Sequence, residues 1–133
     1  MMSLEECVIQ TIEDYRHKPF NWATFNCALA SATMAEVWTG IDYAAEWRPL
    51  CSGRISSTRI VLKNGWSKLM TQAGLTVIDV EDASIGDFVL TEGKGKQQAI
   101  GVVYSDTTSA VPTIYGMGNV QTLCCATAFT SKK

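Results

Sequence analysis

Two side chains in this sequence have the chemistry of a nucleophile and its base. Cys27 follows Asn26 and opens an alanine-rich run, with Ala28, Ala30, Ala32 and Ala35, that continues to Gly40. Alanine favours the helix and glycine ends it, so the run reads as a helix starting at Asn26 or Cys27, with Thr24 and Asn26 both able to cap it. A thiol in the first turn of a helix faces unsatisfied backbone N–H groups and the positive end of the helix dipole, and both favour thiolate. The same position suits a small apolar side chain packed among alanines. A thiolate nucleophile needs a base, usually imidazole. The chain has one histidine, His17, set between Arg16 and Lys18 ahead of Pro19. That polar setting suits a solvated surface side chain better than a catalytic one.

Other reactive groups are less organised. Cys7, Cys27 and Cys51 have no tight spacing, and Cys124 and Cys125 are adjacent, where a regular strand would send them to opposite faces. Metal binding and a disulfide framework are therefore not expected, a reducing compartment is the simpler reading, and no cofactor is called for. Asp87 follows Gly86 and reads as a turn residue before a catalytic carboxylate. Trp22, Trp38, Trp47 and Trp66 all fall in the first half, where core packing is expected, with Trp22 and Trp47 as alternative contact residues. Arg48, Arg54, Arg59, Lys63 and Lys68 concentrate positive charge in the middle third, against Glu5, Glu6, Glu13 and Asp14 near the start. Such asymmetry suits either a solvated face or docking between unlike protein surfaces.

The elements that would position these groups divide at Gly74. Ser3 and Glu6 have the spacing of a capping box, and Leu4, Val8, Ile12 and Tyr15 recur at helical steps, so a first helix runs toward Pro19. After the Cys27 helix, two shorter ones are expected, one from Ser56 or Ser57 to Gly65 and one through Trp66, Leu69, Met70 and Ala73. Five strands follow: Leu75 to Val80, Phe88 to Thr91, Gln98 to Tyr104, Val111 to Tyr115 and Leu123 to Phe129. Gly93 to Lys96 and Ser105 to Ser109 read as turns. The class is α+β: N-terminal helices packed on a small antiparallel, partly curled sheet.

At 133 residues the chain suits one domain, 1–133, with a helical half at 1–74 and a β half at 75–133. Hydrophobic residues at 47% supply a core. The formal net charge of -2 gives no reason to bind nucleic acid. The opening Met1 to Glu6 lacks the basic start and apolar run of a signal peptide, and no stretch is long enough to span a bilayer.

A resemblance appears in the run Pro19, Phe20, Asn21, Trp22, then Asn26, Cys27, Ala28, through the alanine-rich helix to Gly40 and on to Ala44, Ala45, Glu46, Trp47, Arg48. It resembles a phage-associated family of unknown function that is similar to the NlpC-type papain-like cysteine hydrolases. Ser84, Ile85, Gly86, Asp87, Phe88, Val89, Leu90 resembles the Gly-Asp turn and apolar strand that open the sheet of NlpC-type folds. Ala99, Ile100, Gly101, Val102, Val103 is similar to the strand on which those enzymes carry their histidine. The resemblance implies an NlpC-type papain-like fold with Cys27 in the nucleophile's place, vestigial or still a candidate. It puts Ala99, flanked by Gln97 and Gln98, where the catalytic histidine would stand, and Tyr115 or Asn119 where a third polar residue would. A glutamine amide does not accept a proton near neutral pH. Where many relatives carry Asp before the cysteine, Asn26 keeps the capping role without the charge.

What the resemblance implies for function is a non-catalytic virion component, tail-associated at a tip, hub or junction, with other phage tail proteins as partners. Such a protein is expected to be made in the host cytoplasm and to reside in the virion. The alternative is an active cysteine hydrolase cutting peptidoglycan peptides as the phage enters its host, with Cys27 as nucleophile and His17 or a partner chain's residue as base.

Overall fold

The computed structural model describes residues 3–16, 27–46, 65–92, 98–113 and 116–131, with 27, 28, 113 and 116 described through their backbone alone. Helix α1 spans Leu4–Tyr15, α2 Cys27–Thr39 and α3 Trp66–Gln72. The strands are β1 (Thr76–Ile78), β2 (Phe88–Leu90), β3 (Ile100–Val103), β4 (Thr108–Thr113), β5 (Gly116–Gln121) and β6 (Thr127–Thr130).

Helix α1 starts where the capping box placed it. The Ser3 hydroxyl accepts the Glu6 N–H at 3.1 Å and donates to the Glu6 carboxylate at 3.1 Å. Val8 and Ile12 of its apolar face are buried, whereas Leu4, one turn earlier, stays 43% exposed. In α2 the buried residues Leu29, Ala30, Ala32, Met34 and Ala35 occupy several sides of the helix. Small side chains let it approach both α1 and the sheet closely, and a helix apolar on most sides must be interior. It ends at Gly40, whose N–H donates to the Glu36 carbonyl at 2.9 Å. Helix α3 stops in a Schellman arrangement: Leu75 N–H donates to Met70 O at 3.2 Å and Gly74 N–H to Thr71 O at 3.0 Å.

The sheet is antiparallel and open, in the order β1-β6-β2-β3-β4-β5. Alternation along the strands gives it two apolar faces. Phe88, Leu90, Ile100, Val102, Ala110 and Phe129 join the helices in the main core. Val89, Val103 and Ala128 point the other way and form a smaller cluster with Cys125 beneath the turns at 78–85 and 122–125. The α+β class and the helices-on-antiparallel-sheet arrangement therefore hold.

Several element boundaries differ from expectation. Among the described residues there are six strands where five are expected, the additional one being β5: Gly116, Gly118 and Asn119 have poor strand propensity, yet the segment pairs with β4 from Thr113↔Gly116 to Thr108↔Gln121. The expected turn at Ser105 to Ser109 closes sooner, since the Ser105 hydroxyl accepts the Thr108 N–H at 3.0 Å, releasing β4 from Thr108 onward. The expected strand Leu75 to Val80 shrinks to β1, with Val80–Asp82 forming a 3-10 turn. The segment expected as a strand from Leu123 begins instead as a 3-10 turn, Thr122–Cys124. The Thr122 hydroxyl pairs with that of buried Ser109 at 2.7 Å, and its N–H donates to Thr107 O at 2.9 Å, which delays β6 to Thr127. The expected helix opening at Ser56 or Ser57 and the hairpin tip at Gly93 to Lys96 lie outside the described residues.

Gly101 is where two strands and a side chain leave no room. A Cβ there would meet the Ala110 carbonyl oxygen at 2.5 Å and Val111 Cγ2 at 2.7 Å. Gly101→Ala should therefore push β3 and β4 apart, and we expect it to lower unfolding free energy by about 1–3 kcal/mol in urea titration.

Candidate functional site

The site begins with the contact that seats α2 on the sheet. Ser31 is wholly buried, and its hydroxyl donates to the Ile100 carbonyl at 3.0 Å. Cys27, the first residue of α2, lies one helical turn before Ser31. Ala99 lies immediately before Ile100 at the start of β3. The backbone of Ala99 is held from the other side by Thr91, which accepts the Ala99 N–H on its hydroxyl at 2.9 Å and donates its own N–H to the Ala99 carbonyl at 3.0 Å. Helix α2 is thus tied to the start of β3 through Ser31 and Ile100, while Ala99 is tied to Thr91 just after β2.

Cys27 and Ala99, both singled out in the sequence, stand at the first residue of α2 and immediately before β3. A helix N-terminus in general favours a thiolate, and Cys27 is the first residue of α2. Ala99 supplies no proton acceptor, and the neighbouring Gln98 amide donates to Thr91 O at 3.3 Å. His17, Asn26, Gln97, Tyr115, Trp22 and Trp47 lie outside the described residues, as do Cys51 and the cluster Arg48, Arg54, Arg59 and Lys63. Asn119 is exposed on β5, opposite Ala110. It therefore shares the sheet face that carries Val102 and Ala110, with β4 between it and β3.

Other singled-out residues have structural work. Trp66 is buried in the main core and Trp38 packs against its edge. Cys124 is exposed while Cys125 is buried, because the 3-10 turn separates them; burial, foremost, raises the Cys125 thiol pKa. Cys7 is half-buried on α1, and all three thiols are free. Among the described residues no group of three or more His, Cys, Asp or Glu side chains could hold a metal ion. Nor is any helix among them long and apolar enough to cross a membrane.

Asp87 is 3% exposed and its carboxylate is engaged on both oxygens. One accepts the Ser84 N–H at 2.9 Å and the Ser84 hydroxyl at 3.3 Å; the other accepts the Thr130 hydroxyl at 2.8 Å. It closes the turn before β2 and ties that turn to β6. Gly86 takes φ +98° in this turn, with Trp38 Nε1 3.3 Å from where a Cβ would sit. Asp87 also borders a cavity of about 320 Å³, shared with Leu4, Trp38, Thr39, Ile41 and Tyr43, at the end of α2 remote from Cys27. Sequence reading missed Ser31 and Thr91; the one available signal was a hydroxyl placed one turn after Cys27 within an otherwise apolar helix.

Asp87→Asn should replace one acceptor oxygen by an amide donor that faces a donor. We expect about 1–3 kcal/mol of destabilisation by thermal or urea unfolding, with Thr130→Ala costing less because the Ser84 bonds survive.

Comparison with known proteins follows this geometry. A solved structure, the crystal structure of the NlpC/p60 domain of the peptidoglycan hydrolase SagA, is similar with a TM-score of 0.62 and 15% identity, over 95% of this chain and 97% of that one. At that identity the likeness concerns the fold, and it agrees with the NlpC-like, papain-like arrangement of a cysteine-headed helix against an antiparallel sheet. No curated protein matches in sequence. Residues 3–131 match the family described as a domain of unknown function, DUF6950, and the chain belongs to that family.

Proposed function

We propose that this protein is a non-catalytic phage virion component, tail-associated at a tip, hub or junction, in which a cysteine-hydrolase fold serves as a structural module. One observation carries the non-catalytic part. Immediately before β3, at the position that the sequence resemblance matches to the histidine of NlpC-type enzymes, the chain has Ala99, braced on both backbone groups by Thr91. An alanine there neither deprotonates a thiol nor protonates a leaving group. The virion setting is supported by the sequence resemblance to a phage-associated family, and on this reading the partners are other tail proteins. The protein is then made in the host cytoplasm and retained in the particle.

A second reading is favoured by a specific feature, Cys27 at the N-terminus of α2 in a fold shared with a peptidoglycan hydrolase domain. It is an active cysteine hydrolase cutting peptidoglycan peptides, with His17 or a partner chain's residue as base. Fold likeness does not choose between the two, because activity belongs to the site and not to the scaffold.

Alkylation separates them. Exposed Cys124 provides an internal reference thiol. On the structural reading, iodoacetamide at pH 7 labels Cys27 no faster than Cys124, and purified protein leaves peptidoglycan fragments intact. Labelling of Cys27 about tenfold faster than Cys124, equivalent to a thiol pKa about one unit lower, together with fragment cleavage abolished by Cys27→Ala, would establish the hydrolase instead. Purified particles should retain the protein at a fixed copy number, and Cys27→Ala particles should retain it equally.

A further inference from the structure

The two ends of the sheet are built differently. The β1 end is three residues long and runs directly into Asp79, Glu81 and Asp82. Short length and acidic flanking residues are the usual protections of a sheet edge. The β5 end has neither. Its six residues, Gly116, Met117, Gly118, Asn119, Val120 and Gln121, include no charge and no proline. The inner side of β5 is paired along its whole length with β4, and the sheet ends there. Its outer row of backbone N–H and C=O groups has no strand partner among the described residues. Asn119 and Gln121 are exposed on it.

From this edge we infer that the protein self-associates by antiparallel pairing of β5 with β5 of a second copy, about a two-fold axis through Asn119. The residues set the partner. A two-fold register centred on Asn119 places Asn119 opposite its own copy, Gly118 opposite Val120 and Met117 opposite Gln121, so every cross-strand pair is uncharged and the glycine leaves space for the valine. The alternative of β5 on the β1 edge of the next copy would lead the added strand toward the acidic turn at 79–82. It would also leave a free edge at each end and propagate without closing, whereas β5 on β5 closes as a dimer. Pairing along one short strand buries less than the roughly 1,200 Å² of a standard stable interface, so the dimer is weak and concentration-dependent. The inference does not depend on whether Cys27 is active, since β5 is separated from β3 by β4.

The test uses the full chain in sedimentation velocity over about a hundredfold range of concentration, where mass action shifts a weak dimer visibly. Wild-type protein should move from monomer to dimer across that range, and peptides covering 116–121 should gain hydrogen-exchange protection as the dimer fills. Asn119→Lys and Asn119→Glu should each remain monomeric at the top of the range with an unchanged thermal midpoint, because like charges then face each other across the two-fold. Mixing the two variants should restore the dimer. Gln121→Lys, at the rim of the pairing, serves as a second variant should the substitution at 119 impair folding, and it should shift the dimer midpoint at least about tenfold upward, a loss of about 1.4 kcal/mol. A wild-type monomer throughout would overturn the inference. So would a dimer unchanged by well-folded charge variants, or one without added protection on β5.

Discussion

One hydrogen bond inside the core organises the rest of the molecule: the Ser31 hydroxyl on α2 donating to the Ile100 carbonyl of β3. Apolar burial supplies most of the attraction between helix and sheet, but burial is non-directional and would tolerate many relative positions. A buried hydroxyl whose bond fails must bear its desolvation cost without compensation, so the seat on Ile100 is strongly preferred over slid alternatives. Ala30, Ala32 and Ala35 make the seat reachable, since larger side chains would hold the helix away from the strand. From that seat follows the placement of α2 over β3.

The far face of the sheet is held by a different kind of contact. Its apolar cluster is small, and hydroxyl and carboxylate clips do much of the positioning: Asp87 to Ser84 and Thr130, and Ser109 to Thr122. These bonds stitch turns down onto strands that lack a covering helix among the described residues. Each buried polar group among them is partnered, as the cost of leaving one unpaired requires. In the main core, by contrast, the Trp66 indole N–H is buried without an acceptor among the described residues.

Fold and chemistry depend on different residues of such a scaffold. A cysteine at a helix N-terminus retains an environment that favours thiolate whether or not a base faces it, because helix geometry alone supplies that environment. A base depends on one side chain, whereas the Thr91 bonds to residue 99 use only the backbone of Ala99. The likeness to a peptidoglycan hydrolase domain is therefore informative about architecture alone.

Local signals were legible from residue types alone. The Ser3–Glu6 cap, the start of α2 at Cys27, its end at Gly40, the termination of α3 at Gly74 and the apolar strands β2 and β3 each depend on a few neighbouring residues. What was not legible depends on residues distant in the chain. Strand β5 has weak propensity and exists because β4 offers it a full row of partners. The late start of β6 follows from Thr122 meeting Ser109 across the sheet, and Ser31 acquires its role only when β3 arrives beneath it. Cap and turn chemistry is written within a few residues, whereas register, hydroxyl partners and the seating of α2 on β3 come from contacts that exist only after the chain has closed on itself.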